Sequence, residues 1–206
     1  FLRGTWYSSL HTLSRDVALQ TALLAAAAAA ALALALGWCT RIASVAAWLL
    51  CCSLHSRNPL TLHGGDVLLR LLLFWSMFVP LGPRPARTSL GLHCLRAQVA
   101  LMYACAALSK SGAEWWGECS AVHLALQLDL IATPAGIALR DAPPALLCAA
   151  TRTTLVIELL AAPLLLYPRT RVVALAVLLP LHASFGIFLR LGTFPLVSAI
   201  ALLPFL

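Results

Sequence analysis

Charge is the scarcest thing in this sequence. Only 10% of its 206 residues are Asp, Glu, Lys or Arg, against about 25% in soluble domains. A surface so poor in charge does not stay dispersed in water, and with 62% hydrophobic residues the chain belongs in a bilayer. Lysine is nearly absent: Lys110 stands alone beside thirteen arginines. On a soluble protein the net charge of +7 would point to nucleic acid. Here the arginines sit singly between apolar runs, as membrane anchors do, so no nucleic-acid partner is expected. The polar–apolar alternation of a transmembrane β-strand is also missing. Runs such as VALQTALLAAAAAAALALALG are apolar on every face. There is no CxxC and no Cys/His ligand spacing, so no metal site is expected. The seven cysteines read as small packing residues inside helices. Cys119, in a long loop, is also open to a disulfide.

What is present is a series of apolar runs. At about 20 residues per span, a chain of this length holds six or seven helices joined by short loops. The expected fold is an all-α, polytopic membrane bundle forming one domain over residues 1–206, itself part of a longer product. The runs fall at about 17–38, 42–54, 66–81, 92–109, 144–166, 172–189 and 194–206. The alanine content of the first makes a smooth surface that other helices can approach. Arg3, Trp6, Tyr7 and Arg15 suit a membrane interface. GPRPAR reads as a proline-rich hairpin. Within the longest loop, 117–143, VHLALQLDLI alternates like a strand. A lone strand has no pairing partner, so an interfacial segment is expected there. Basic residues fall about equally in alternate loops, and the positive-inside rule gives no orientation.

The ionisable residues form three groups. Asp66 follows Gly64-Gly65, where a helix N-cap or first-turn acid belongs. Arg70 lies one turn further on the same face, so the two are expected either to start and pin the helix as a pair at the membrane interface or to form part of a quinone or headgroup site. Arg96, Tyr103 and Lys110 are spaced by seven and share a face of the fourth run. Lys110 reads either as a base or as a lysine snorkelling to the headgroups. Thr151, Thr154 and Glu158 make a polar stripe on the fifth run, and His182 lies inside the sixth. Ionisable groups at such depth face the bundle interior and find partners. Glu158 and His182 are expected to bond each other or Arg152, or to bind a ligand or proton. Arg96 and Arg152 are expected to anchor near the interfaces or to neutralise Glu158.

The segments SRNPLTLHGGDVLLRLLLFWSMFVPLG, ALSKSGAEWWGE, ALQLD, TTLVIELLAAPLLLYPRTR and LHASFGIFLRLGTFP occur in an order that resembles HTTM-domain proteins. These are the "horizontally transferred transmembrane" relatives of the vitamin K-dependent γ-carboxylases. The resemblance runs over about residues 5–204. It implies the role of a catalytic base for Lys110: in the carboxylases a lysine deprotonates reduced vitamin K, oxygen reacts, and the strong base so formed takes a proton from a glutamate that then adds CO2. Loss of charge in apolar surroundings makes a lysine a usable base. A second, histidine-based role of those enzymes falls near LHGGD. Here Gly64 and Gly65 take the closest positions and His63 stands beside them. A large polar domain like the one with which the carboxylases engage their protein substrate is not seen in the chain.

Two functions follow as expectations. One is an accessory or scaffold subunit that packs against other integral membrane subunits, lipids or pigments in a larger complex, in a plastid thylakoid or mitochondrial membrane. The alternative is a carboxylase-like enzyme acting on a quinol or another lipid-soluble substrate, with Lys110, Glu158 and His182 lining its pocket. A transporter ranks last, because no inverted repeat, paired broken helices or ring of like charges is found.

Overall fold

The computed structural model describes residues 9–81 and 89–206. Arg3, Trp6, Tyr7 and the GPRPAR hairpin lie outside the described residues. Ten α-helices follow in order: α1 Val17–Ala35, α2 Thr40–Arg57, α3 Gly64–Ser76, α4 Leu90–Ser109, α5 Ala113–Trp116, α6 Ala121–Gln127, α7 Pro134–Arg140, α8 Pro144–Leu166, α9 Arg171–Phe188 and α10 Phe194–Leu202. No strand occurs among the described residues, only an isolated antiparallel bridge between Ala132 and Leu189. The protein is an all-α membrane bundle. Among the described residues, four helical stretches are long and apolar enough to cross a bilayer: Val17–Ala35, Leu90–Ser109, Pro144–Leu166 and Pro168–Phe188. Helices α2, α3 and α10 occupy the places of the other three apolar runs. The chain divides into two compact units, Phe1–Leu95 and Arg96–Leu206.

In the first unit, Asp16 caps α1 by accepting from the Ala18 N–H. The chain turns back at Gly37 and Cys39, both at positive φ, 71° and 46°. Such a conformation comes easily to glycine and at a cost to any other residue. Helix α2 buries Ala43, Ser44, Ala47 and Ser53, whereas α1 buries none of its residues. The 3-10 turn Leu10–Thr12 is tied to α2, since the Leu10 N–H donates to Ser53 Oγ at 2.8 Å and Ser9 Oγ donates to the Ser53 carbonyl at 2.6 Å.

In the second unit the core gathers Val99, Tyr103 and Ala107 of α4, Leu155 and Leu165 of α8, Ala174 and Leu178 of α9, and Ala201 of α10. The last turn of a helix leaves its carbonyls without partners inside the helix. The last carbonyls of α8 are met by Arg171, whose Nε donates to the Leu165 oxygen at 3.0 Å, and by Thr170 Oγ1 on the Leu164 oxygen at 2.9 Å. Those of α9 are met by Thr133, whose Oγ1 donates to the Ile187 oxygen at 2.6 Å and whose N–H donates to the Phe188 oxygen at 3.1 Å.

The 117–143 region, expected as one long loop with an interfacial segment, contains two short helices, α6 and α7. The N-terminus of α6 is held by α8: the Val122 N–H donates to Thr151 Oγ1 at 3.1 Å. Its C-terminus is held by α7, because Arg140 Nε donates to the Leu126 oxygen at 3.1 Å and Arg140 Nη2 reaches Asp129 at 2.6 Å. Helix α7 passes so close to the end of α9 that a Cβ on Gly136 would collide with the Phe188 carbonyl. That carbonyl is backbone and already accepts from Thr133, so it cannot step aside. Gly136→Ala is expected to cost about 1–3 kcal/mol, the usual range for overpacking, read as a lowered thermal midpoint in detergent. A midpoint equal to wild type would mean that α7 and α9 are further apart than described.

Candidate functional site

The site is assembled on one face of α4. Seven residues turn a helix by about 700°, so every seventh side chain returns to nearly the same direction. Arg96, Tyr103 and Lys110 therefore form a row, and each reaches a different element. Arg96 Nε donates to the Pro204 carbonyl at 2.7 Å. The Tyr103 hydroxyl and His182 Nε2 of α9 are 2.6 Å apart. The Lys110 ammonium donates to Glu158 of α8, and also to the Ala106 carbonyl of its own helix at 3.1 Å. The three contacts join α4 to the 3-10 turn after α10, to α9 and to α8.

Lys110 and Glu158 are poorly solvated, with side chains 18% and 9% exposed. Away from water an ion pair is strong only if its remaining bonding capacity is filled. Here the second donor bond to Ala106 and the ring of Trp115, 5.2 Å from Nζ, help to do so. Trp116 closes the helix end, its Nε1 donating to the Lys110 carbonyl at 2.7 Å. His182 is 3% exposed. Phe185 and Phe194 meet its ring near edge-on, each with centroids 5.8 Å away. Its Nδ1 is buried without a partner among the described residues. The arrangement can keep a cation and an anion neutralised inside the bundle, and can share a proton between a phenol and an imidazole.

Glu158 and His182 do not bond each other: Glu158 Oε2 accepts from Lys110, and His182 Nε2 meets the Tyr103 hydroxyl. Arg152 is exposed. It stands six residues before Glu158, about 120° away around α8, and so does not neutralise it. Arg96 engages a helix-end carbonyl rather than an acid.

Asp66 and Arg70 belong to the first unit. Asp66 starts α3 as the acid of a capping box: the His63 N–H donates to Asp66 Oδ2 at 3.0 Å, and the Gly65 N–H donates to His63 Nδ1 at 3.2 Å. His55 Nε2 lies 3.7 Å from the other carboxylate oxygen. The expected ion pair with Arg70 does not form among the described residues, since the carboxylate turns back to the start of its own helix. Asp66→Ala is expected to cost about 1 kcal/mol, as capping losses do. Asp66→Asn should retain most of that stability in the same thermal melt. If both variants melt alike, the box does not hold α3.

One polar hub escaped the sequence reading. Gln20, in the first turns of α1, meets His11 Nδ1 at 2.7 Å and accepts from Arg57 Nη1 at 3.1 Å. Its Nε2 donates to the His11 and Ser14 carbonyls at 3.0 and 2.8 Å. The available signal was a lone glutamine in an otherwise apolar run.

The HTTM domain matches residues 84–206. No curated protein matches the chain, and no solved structure does. The matched region contains the whole α4 row with Glu158 and His182, and it begins after Asp66 and Arg70. Because the match covers more than half of the sequence and takes in both buried pairs, the chain belongs to the HTTM-domain family.

Proposed function

We propose that this HTTM-domain membrane protein is an accessory subunit that packs against other integral membrane proteins and lipids, and that residues 1–206 act as one HTTM-like domain. The observation that carries this reading is the engagement of Lys110. Its charge is answered by Glu158, a carbonyl and an indole ring, all from within the second unit. A base must give up such partners before it can take a proton from a substrate. A structural lysine has no need to.

The carboxylase-like alternative keeps one observation in its favour. Tyr103, Lys110, Glu158 and His182 are joined in two bonded pairs that share one face of α4, and one imidazole nitrogen has no partner. In that reading Lys110 leaves one proton on Glu158 when a quinol binds, moves off as the neutral amine and accepts the quinol's proton.

The two readings part in the variant Lys110→Met/Glu158→Met. A subunit whose role is packing should still co-extract with its membrane partners and migrate with them on a native gel. Hydroquinone-dependent uptake of CO2 by the purified wild type, abolished in this folded double variant, would replace the accessory reading with the enzyme.

A further inference from the structure

A groove of about 730 Å³ lies between α2 and α3, with Leu10 at its side. One face of α2 and one of α3 form its walls. Trp48 and Phe74 pack against each other in its lining, with ring centroids 5.8 Å apart, and Leu49 and Leu71 extend this apolar part. Ser56 is eight residues beyond Trp48, about 12 Å nearer the turn that joins the helices. Arg70 precedes Phe74 by one turn, and a helical side chain leans toward the N-terminus of its own helix. The groove is therefore graded, with Ser56 and Arg70 toward the turn and aromatic rings away from it.

Among the described residues Arg70 is the charged member of this lining, and no acid accompanies it there. Asp66 is committed to His63 and His55. Ser53 Oγ accepts from Leu10, and Ser56 Oγ donates to the Cys52 carbonyl at 2.6 Å. A guanidinium facing an apolar groove in a bilayer is costly until an anion meets it. Leu49 and Val67 are exposed, so the groove opens outward.

We propose that this groove binds an anionic phospholipid, with the headgroup phosphate on Arg70 and one acyl chain along Trp48, Leu49 and Phe74. Guanidinium–phosphate pairing supplies the charge-assisted bonds that select the head. The apolar part supplies a sleeve for the tail. The assignment does not depend on the accessory role, because it uses residues of the first unit alone.

The full chain would be placed in phosphatidylcholine vesicles containing a minority of phosphatidylglycerol, extracted in mild detergent, and weighed with its bound lipids by native mass spectrometry. The wild type should retain one phosphatidylglycerol in preference to phosphatidylcholine. Arg70→Gln should lower that preference about tenfold, the loss of one charge-assisted bond, and Arg70→Lys should keep most of it. A second measurement leaves Arg70 untouched. Phosphatidylglycerol with brominated acyl chains should quench tryptophan fluorescence, and Trp48→Phe should remove a large part of that quenching. Equal retention of the two lipids by the wild type overturns the proposal. So does wild-type preference in Arg70→Gln, or quenching that Trp48→Phe leaves unchanged.

Discussion

Lys110→Met should destabilise the protein by about 3–5 kcal/mol, the usual result of leaving one partner of a buried ion pair behind. Lys110→Met/Glu158→Met should recover most of that loss. The asymmetry between the single variants is the sharper test. Glu158 stands fourteen residues into α8, about 21 Å from its start, and its short side chain cannot reach the headgroups. Stranded without Lys110, it must pick up a proton or draw in water. A stranded Lys110 fares better. It sits at the end of α4, keeps the Ala106 carbonyl and the Trp115 ring, and has a long stem with which to reach the interface. Glu158→Met should therefore be milder than Lys110→Met. Unfolding midpoints of the four proteins in a mixed-micelle titration measure the cycle. Additive losses, with the double variant worse than either single one, would show that Lys110 is not held by Glu158.

The α4 row was legible because a period of seven is a local property, visible once Arg96, Tyr103 and Lys110 are counted. Their partners were not legible, because each lies far along the chain. Glu158 is forty-eight residues from Lys110 and His182 is seventy-nine from Tyr103. Sequence reasoning gave Glu158 the candidates Arg152 and His182, and the rotation of α8 removes the first. Asp66 read correctly as the start of a helix, since two glycines and an acid leave few other uses. The Asp66–Arg70 pair misled, because a spacing of four permits contact without choosing between Arg70 and the free N–H groups at the helix start. The helix within VHLALQLDLI was hidden for a different reason. A seven-residue helix makes fewer than two turns, too few for its own period to outweigh an accidental alternation. What holds α6 is Thr151 at one end and Arg140 at the other, and neither lies within the segment. The family resemblance was read over about residues 5–204, whereas the match covers 84–206.

Cys119 and Cys148 should resist maleimide in native membranes until a reductant is added, and then react from only one side of the bilayer. The two are joined by a disulfide with their Cα atoms 4.9 Å apart. Seven cysteines could not reveal that pairing in advance, because connectivity is a matter of the fold. Cys119 lies between α5 and α6, and Cys148 lies about one turn into α8. The bond thus marks the end of the second unit at which α8 begins. Disulfides persist in oxidising compartments, so this end should face one, outside the cytosol or its organellar equivalent. Glu114, Glu118, Asp129 and Asp141 belong to the same end, in the stretch between α4 and α8. The other end carries Arg169 in the short turn from α8 to α9 and Arg171 at the first position of α9, as the positive-inside rule asks of an inner loop. Counting basic residues alone leaves the ends level, since Arg140 and Arg190 stand near the first; the disulfide breaks the tie. Arg169→Cys, at an exposed position of that turn, should then be labelled by an impermeant maleimide from the face opposite to reduced Cys119. Labelling of both positions from one face would refute the orientation. Reduction should also lower stability by about 2 kcal/mol, toward the low end of the usual range, because α4 and α8 already tether the loop that the bond closes. Cys119→Ser/Cys148→Ser should match the reduced wild type and lose any further response to reductant.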